Sequence, residues 1–321
     1  MSLDRGGLDV DARKEPSSRP VSELPLMDQA AAVPGGANSA QRRPPPQAWL
    51  RARALLMALG RPMVSFLEEA GRLGLFCLLV LYWLPRRPFR WAQLFRHMSD
   101  MGFGSLFIVI LTGFFTGLVF GFQTLNGFRR FGASELVGPA TLLTLSRELG
   151  PVLTGLMVAG RSGSGMATEL GTMKVTEQID ALSTLAVEPI QYLVVPRAIA
   201  STLMMPLLAI IFCACGYVGC YIIAIYGEGA DPGVFLYETW QAQDPDDFYE
   251  GWIKAAFFGL QIALISCYQG FKASGGARGV GEAATNAVVM SSVSILVGTY
   301  LLAEVLEPLI HSYLRFDAMP Q

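Results

Sequence analysis

Residues 103–125 read FGSLFIVILTGFFTGLVFGFQTL, twenty-three consecutive positions without a charge. A helix rises 1.5 Å per residue, so about 20 apolar residues cross the roughly 30 Å hydrocarbon core of a bilayer. This stretch is long enough to span, and a strand-type alternation of polar and apolar residues is missing from it. Outward in the sequence, four more runs follow. Leu136–Gly160 is interrupted only by Arg147-Glu148, and Ala198–Tyr226 is uncharged throughout. Ala255–Phe271 can be lengthened backwards through Gly251, and Ala283–Ala303 completes the set. Only helices and closed barrels satisfy their backbone groups in lipid, and nothing here has the dyad pattern of a barrel. The fold class predicted is an all-α membrane protein with five transmembrane helices.

The whole chain agrees. Of 321 residues, 52% are hydrophobic and 16% charged, where a soluble domain carries about 25% charged residues. The net charge of −2 leaves no basic excess for nucleic acid. Five cysteines (Cys77, Cys213, Cys215, Cys220, Cys267) lie almost entirely inside apolar runs, without a CxxC pair or a histidine cluster. They read as small buried hydrophobes, so neither a disulfide framework nor a metal site is expected.

Residues 1–48 hold seven prolines and no aromatic residue. That composition predicts a disordered cytoplasmic extension, with neither the apolar core of a secretory signal nor the acid-poor character of a transit peptide. Residues 49–100 form a basic region. Its purely apolar part, Leu73–Leu84, is twelve residues long and too short to cross. With Arg86, Arg87, Arg90 and Arg96 close behind, it reads as a helix in the cytoplasmic interface, with a sixth span as the competing reading. The five-helix bundle then occupies 101–310, and 311–321 is a short tail. Loop charge sets the orientation. Arg161, Lys174, Arg197, Lys272 and Arg278 join the amino terminus inside, while the acidic loop 227–250 falls outside. Arg129-Arg130 is the one dissenting pair.

Some residues are not explained by an oily bundle. A charge at the centre of a span costs about 2.5–3.5 kcal/mol on insertion scales, yet Arg147 and Glu148 sit mid-span. Neighbours on a helix point about 100° apart, so at least one must face another helix, a second subunit or water. Pro151 weakens the hydrogen-bond ladder beside them. Gly113, Gly117 and Gly121 form a small-residue ladder on the first span, and Ala159, Gly163, Ala167 and Gly171 form another on the second. Each ladder fits packing within the chain or across a subunit interface. Between the second and third spans, Thr176 reads as a helix cap and Glu177 as its first turn. Ile179, Leu182 and Leu185 make one apolar stripe with nothing obvious in the chain to dock on. The helix therefore lies on the membrane or serves as a knob for a cytoplasmic partner. Gly127 to Ser134 has phosphate-loop spacing but no lysine, so no nucleotide motif is present.

Two long blocks carry a specific resemblance. Ser146-Arg147-Glu148-Leu149-Gly150-Pro151-Val152-Leu153, then Ala159 to Ser164, and Thr168 to Leu182 resemble the MlaE/YrbE family. Glu188-Pro189-Ile190 to Val195-Pro196-Arg197 and Gln269 to Thr285 fit it too. These are permease subunits of ABC-type lipid transporters that work with mammalian-cell-entry (MCE) proteins. The resemblance implies an MlaE-type ABC permease fold: a homodimer with an interfacial amino-terminal helix and five spans per subunit. It implies an ABC ATPase on a cytoplasmic coupling helix at about 176–186, through Glu177, Gln178, Ile179, Asp180 and Leu182. ATP would be bound by that partner and no cofactor by this chain. It further implies an MCE protein on the outer face, a small STAS-type accessory subunit as a further partner, and phospholipid in a cavity at the dimer interface. Arg147, Glu148, Gly117 and Gly121 would line that cavity, and Asp247 with Lys254 matches a charged pair of the family. A bacterial inner membrane is expected rather than a plastid envelope. A stand-alone secondary transporter or channel would need charged relays on several spans, and an intramembrane enzyme would need convergent catalytic groups. The sequence offers neither.

Overall fold

A computed structural model describes residues 64, 67–84, 91–227 and 229–314. The extension 1–48, the arginines at 86, 87 and 90 and most of the tail lie outside the described residues. Among the described residues every regular element is a helix. The order is α1 (67–83), α2 (Trp91–Arg129), α3 (Ser134–Val175), α4 (Gln178–Thr184), α5 (Ile190–Gly227), α6 (Pro232–Gln241), α7 (Pro245–Lys272) and α8 (Gly276–Leu314). Helices α2, α3, α5, α7 and α8 are the five long and apolar enough to cross a membrane.

Each span outruns its uncharged core, because a helix ends where a cap or breaker ends it and not where charges begin. Helix α2 starts at Trp91 and takes in Arg96, His97 and Asp100 from the basic region. Helix α3 continues to Val175, so Arg161 and Lys174 stand on a helix where a loop was expected. Helix α7 starts at Pro245 behind Asp244, which brings Asp247 and Glu250 onto the fourth span. The connection between the third and fourth spans also holds α6, where Asp231 accepts hydrogen bonds from Gly233 (2.7 Å) and Val234 (3.1 Å) as a helix cap.

The described part of α1 packs on the start of α5 and the end of α7. Phe76 and Val80 join a core with Leu193, Val194, Ala198, Ala263 and Cys267. The Phe76 ring lies 5.7 Å from Tyr268, and Lys272 donates to Glu69 at 2.6 Å. The main core sits between α2, α3, α5, α7 and α8, around Val109, Leu145, Val158, Met205, Phe212, Phe258 and Ile295. Both small-residue ladders are used inside the chain. A side chain at Gly117 would overlap the backbone of Gly216 on α5, and one at Gly121 would meet Cys220 at 2.8 Å. Gly163 faces Ser266 and Gly171 faces Ala273 on the α7 side. With no hydrophobic force between helices in lipid, this close backbone approach is what joins α2 to α5 and α3 to α7.

Candidate functional site

Span α3 is not a uniform α-helix. Residues Leu145–Leu149 form a π turn, closed by the amide of Gly150 reaching back five residues to the Leu145 carbonyl. Pro151 is the physical cause: it has no amide, so the carbonyl of Arg147, four residues earlier, loses its helical donor. Lys254 of α7 supplies a replacement, with Nζ 3.4 Å from that carbonyl. The Leu145 carbonyl also takes the Cys213 thiol at 3.2 Å. Helix α7 comes this close because residue 251 is glycine; a Cβ there would overlap the Ser146 carbonyl.

The bulge presents Arg147 and Glu148 to α7, and each finds a separate partner there. The Arg147 Nε donates to Asp247 Oδ1 at 2.7 Å and lies 3.6 Å from Glu250 Oε2, while its Nη2 meets the same aspartate. Lys254 Nζ lies 2.5 Å from Glu148 Oε1 and 2.6 Å from Glu250 Oε1. An ammonium has three donors, and all three of Lys254 are engaged. This matters because Lys254 is completely buried. Removing one partner from a buried ion pair costs about 3–5 kcal/mol, since the other charge is stranded. The sealing is one-sided. Asp247 and Glu250 are buried as well, whereas the Glu148 side chain is 40% exposed and Arg147 27%. Two cations face three carboxylates, leaving one net negative charge. A cavity of 210 Å³ lies alongside, lined mainly by apolar groups from α3, α5 and α7 and reaching the cluster through Ser146 and Gly251.

The structure thus brings Arg147, Glu148, Asp247 and Lys254 together, but not in the pairing the family resemblance suggested. Asp247 and Lys254 are not partners of each other among the described ion pairs; each reaches across to α3, and Glu250 bridges Arg147 and Lys254. Sequence reasoning missed Glu250. Its spacing was the available signal, since residues 247, 250 and 254 share one helix face. Gly117 and Gly121 do not join this site: they face α5 and close its crossing with α2.

The short helix between the second and third spans also differs from expectation. Thr176 ends α3, its hydroxyl donating to the Thr172 carbonyl at 2.8 Å, and does not cap α4. Glu177 takes the left-handed conformation (φ 60°) that turns the chain into α4. The helix is seven residues long, Gln178–Thr184. It ends in a Schellman-type pair, Ala186 N–H to Ser183 O and Val187 N–H to Leu182 O, with Ala186 also left-handed. The apolar stripe does have something to dock on in its own chain. Ile179 is 4% exposed in the α1, α5 and α7 core, and Leu182 packs at its edge. Leu185 is 73% exposed, and Glu177, Gln178, Asp180 and Ala181 are exposed around it. Lys174 braces the turn through Asp180 at 2.9 Å.

Comparison with known proteins is consistent across the whole bundle. The family described as Permease MlaE matches residues 94–305. A probable ABC transporter permease of Rickettsia conorii is 42% identical over 247 residues, covering 77% of this chain and 95% of the relative. The intermembrane phospholipid transport system permease protein MlaE of Haemophilus influenzae is 33% identical over 256 residues, 78% of this chain and 97% of its own length. The chloroplastic protein TRIGALACTOSYLDIACYLGLYCEROL 1 of Arabidopsis thaliana is 33% identical over 280 residues, 87% and 77% respectively.

Proposed function

Because this chain belongs to the MlaE permease family, we propose that it is the membrane subunit of an ABC-type transporter that moves phospholipid between the bacterial inner membrane and an outer-facing MCE protein. Membership of the family supports a multi-pass transport subunit of ABC-permease type. The finer reading rests on one observation: a buried five-residue charge cluster, open on the side of Arg147 and Glu148, beside an apolar cavity. A phospholipid has both halves of that chemistry, a charged headgroup and acyl chains. Charges at this depth need polar company, and a second copy of the chain together with the headgroup would supply it on the open side. The chain carries no nucleotide motif, so ATP is bound by a partner ATPase, and no cofactor is held here.

The partner would press on the exposed face of α4, at Leu185, Gln178 and Ala181. Ile179 and Leu182 serve as the root that transmits the push into α3, α5 and α7. Closure of the ATPase would rock these spans, narrow the cavity and expel its lipid. An outer MCE ring and an accessory STAS-type subunit complete the assembly.

The test is reconstitution in vesicles with the ATPase, following ATP-dependent lipid release and ATPase co-purification. Leu185→Asp is expected to lose the ATPase while the chain stays folded; aspartate at Ile179 would disrupt the chain's own core and tests nothing about docking. Glu148→Gln is expected to keep the complex and impair lipid loading. Wild-type complex that assembles but moves no phospholipid would sink the proposal.

A further inference from the structure

A second cavity, this one polar, lies at the other end of the same span. It measures 310 Å³, between α2, the inner half of α3 and the start of α5, and its lining includes Asp100, Arg161, Gly165, Glu169, Arg197 and Ser201. Here too α3 makes a π turn, Ala159–Gly163. The amide of Ser164 reaches back to Ala159, and its hydroxyl takes the Gly160 carbonyl at 2.5 Å. That turn swings Arg161 over α2, where Gly104 leaves room for the guanidinium.

The charges around this cavity are not settled. Arg197 is 2% exposed and meets Glu169 at 2.9 Å and the Leu193 carbonyl at 2.7 Å, but its Nε has no acceptor among the described residues. A buried guanidinium N–H without an acceptor is costly. Among the described residues Arg161 makes only a 3.5 Å hydrogen bond to Ser105. Arg161 and Asp100 line one cavity with opposite charges, and neither has an ion-pair partner among the described residues. Opposite charges that share a space without meeting are matched by a group carrying both signs.

We propose that this cavity binds the zwitterionic headgroup of a phospholipid, the phosphodiester between Arg161 and Arg197 and the ammonium toward Asp100 and Glu169. Its volume is at the lower end of ligand pockets, about 300–1,000 Å³, which suits a headgroup whose acyl chains stay in the bilayer. Arg147 and Arg161 are 14 residues apart in the sequence, about 21 Å along the helix, so the two π turns carry separate headgroup stations. The inference rests on the reading of the chain as a lipid-handling permease, but needs neither a transport direction nor an ATPase.

The experiment is native mass spectrometry of the full-length chain in mild detergent, titrated with phosphatidylethanolamine, with diacylglycerol of the same chains, and with inorganic phosphate. Wild type is expected to hold two phosphatidylethanolamine molecules per chain. Arg161→Gln should weaken one of them about tenfold or more, with Arg161→Lys recovering part of it. Gly165→Leu should exclude the same lipid by filling the cavity, where a Cβ meets open space, while the melting temperature holds. Glu148→Gln should affect the other lipid. If Arg161→Gln and Gly165→Leu both keep two lipids, the inner site is overturned and the proposed function stands. Equal binding of diacylglycerol, or phosphate binding that phosphatidylethanolamine does not compete with, also overturns it. Wild type that holds no phospholipid at all takes the proposed function down as well.

Discussion

The two π turns of α3 use one backbone device for two electrostatic outcomes. At Leu145–Leu149 the freed carbonyl and both charged side chains are met by α7, and the cations are neutralised by three carboxylates. At Ala159–Gly163 no such helix face arrives. Ser164 takes up the loose carbonyl, while Arg161 is left over a cavity with one weak contact. A π turn places a side chain off the regular helical face, and the neighbouring helix decides what it becomes. Where Asp247, Glu250 and Lys254 share one face of α7, the result is a fixed cluster. Where α2 presents Gly104 and Ser105, the arginine keeps unused donors. A sealed charge contributes to stability, and an unsealed one is available to a ligand.

The comparison breaks most easily at Lys254. Lys254→Ala leaves Glu148 without its cation and the buried Glu250 with only the 3.6 Å contact to Arg147, and is expected to cost about 3–5 kcal/mol. It should appear as a large fall in the thermal unfolding midpoint in detergent. Replacing the group together (Glu148→Gln, Glu250→Gln and Lys254→Met) should recover much of that loss without restoring lipid loading. A Lys254→Ala chain that melts like wild type would mean that the outer turn is not sealed by pairing.

Arg161→Gln sharpens the contrast from the other side. Its guanidinium is exposed and makes no ion pair among the described residues, so the same midpoint should move by less than about 1 kcal/mol. A loss comparable to that of Lys254→Ala would show that the inner arginine is a structural brace.

The smallest effect belongs to the clamp holding α1 to the inner end of α7. The hydrogen bond from Lys272 holds the Glu69 carboxyl below its ordinary range, against the desolvation of partial burial. Because the folded-state value is depressed, the stabilisation is present above the unfolded value of about 4.3 and fades as pH falls through the lower folded value. Wild type should therefore melt slightly above Glu69→Gln at pH 7, and the two should converge in acid below about pH 4. A gap that persists in acid would assign the clamp to packing of Phe76 on Tyr268 instead.

Much of this architecture was legible in order along the chain. The uncharged runs located five spans, and the Arg147-Glu148 pair stood out because mid-span charges need partners. The misreadings have a common physical origin. Span ends were placed where charges begin, but α3 runs through Arg161 and Lys174 to a left-handed Glu177, and α7 starts behind Asp244-Pro245. Ile179 looked like a free knob because its stripe had no visible mate. Its mates are Leu193 and Val194 on the next helix and Ala263 on a helix distant in sequence, and which of them it meets is set by packing.

Hydrophobic run length and helical periodicity are properties of single segments, so the amino-acid order alone fixed an all-helical chain with five crossings and one mid-span charge pair. Pairing is a property of two segments in contact. That Glu250 bridges Arg147 and Lys254, that Gly117 closes on Gly216 rather than lining a cavity, and that Arg161 has no ion-pair partner among the described residues were decided only when the helices packed. The reason is that electrostatic and van der Waals energies at these sites depend on distances between residues far apart in sequence, and no local pattern encodes those distances.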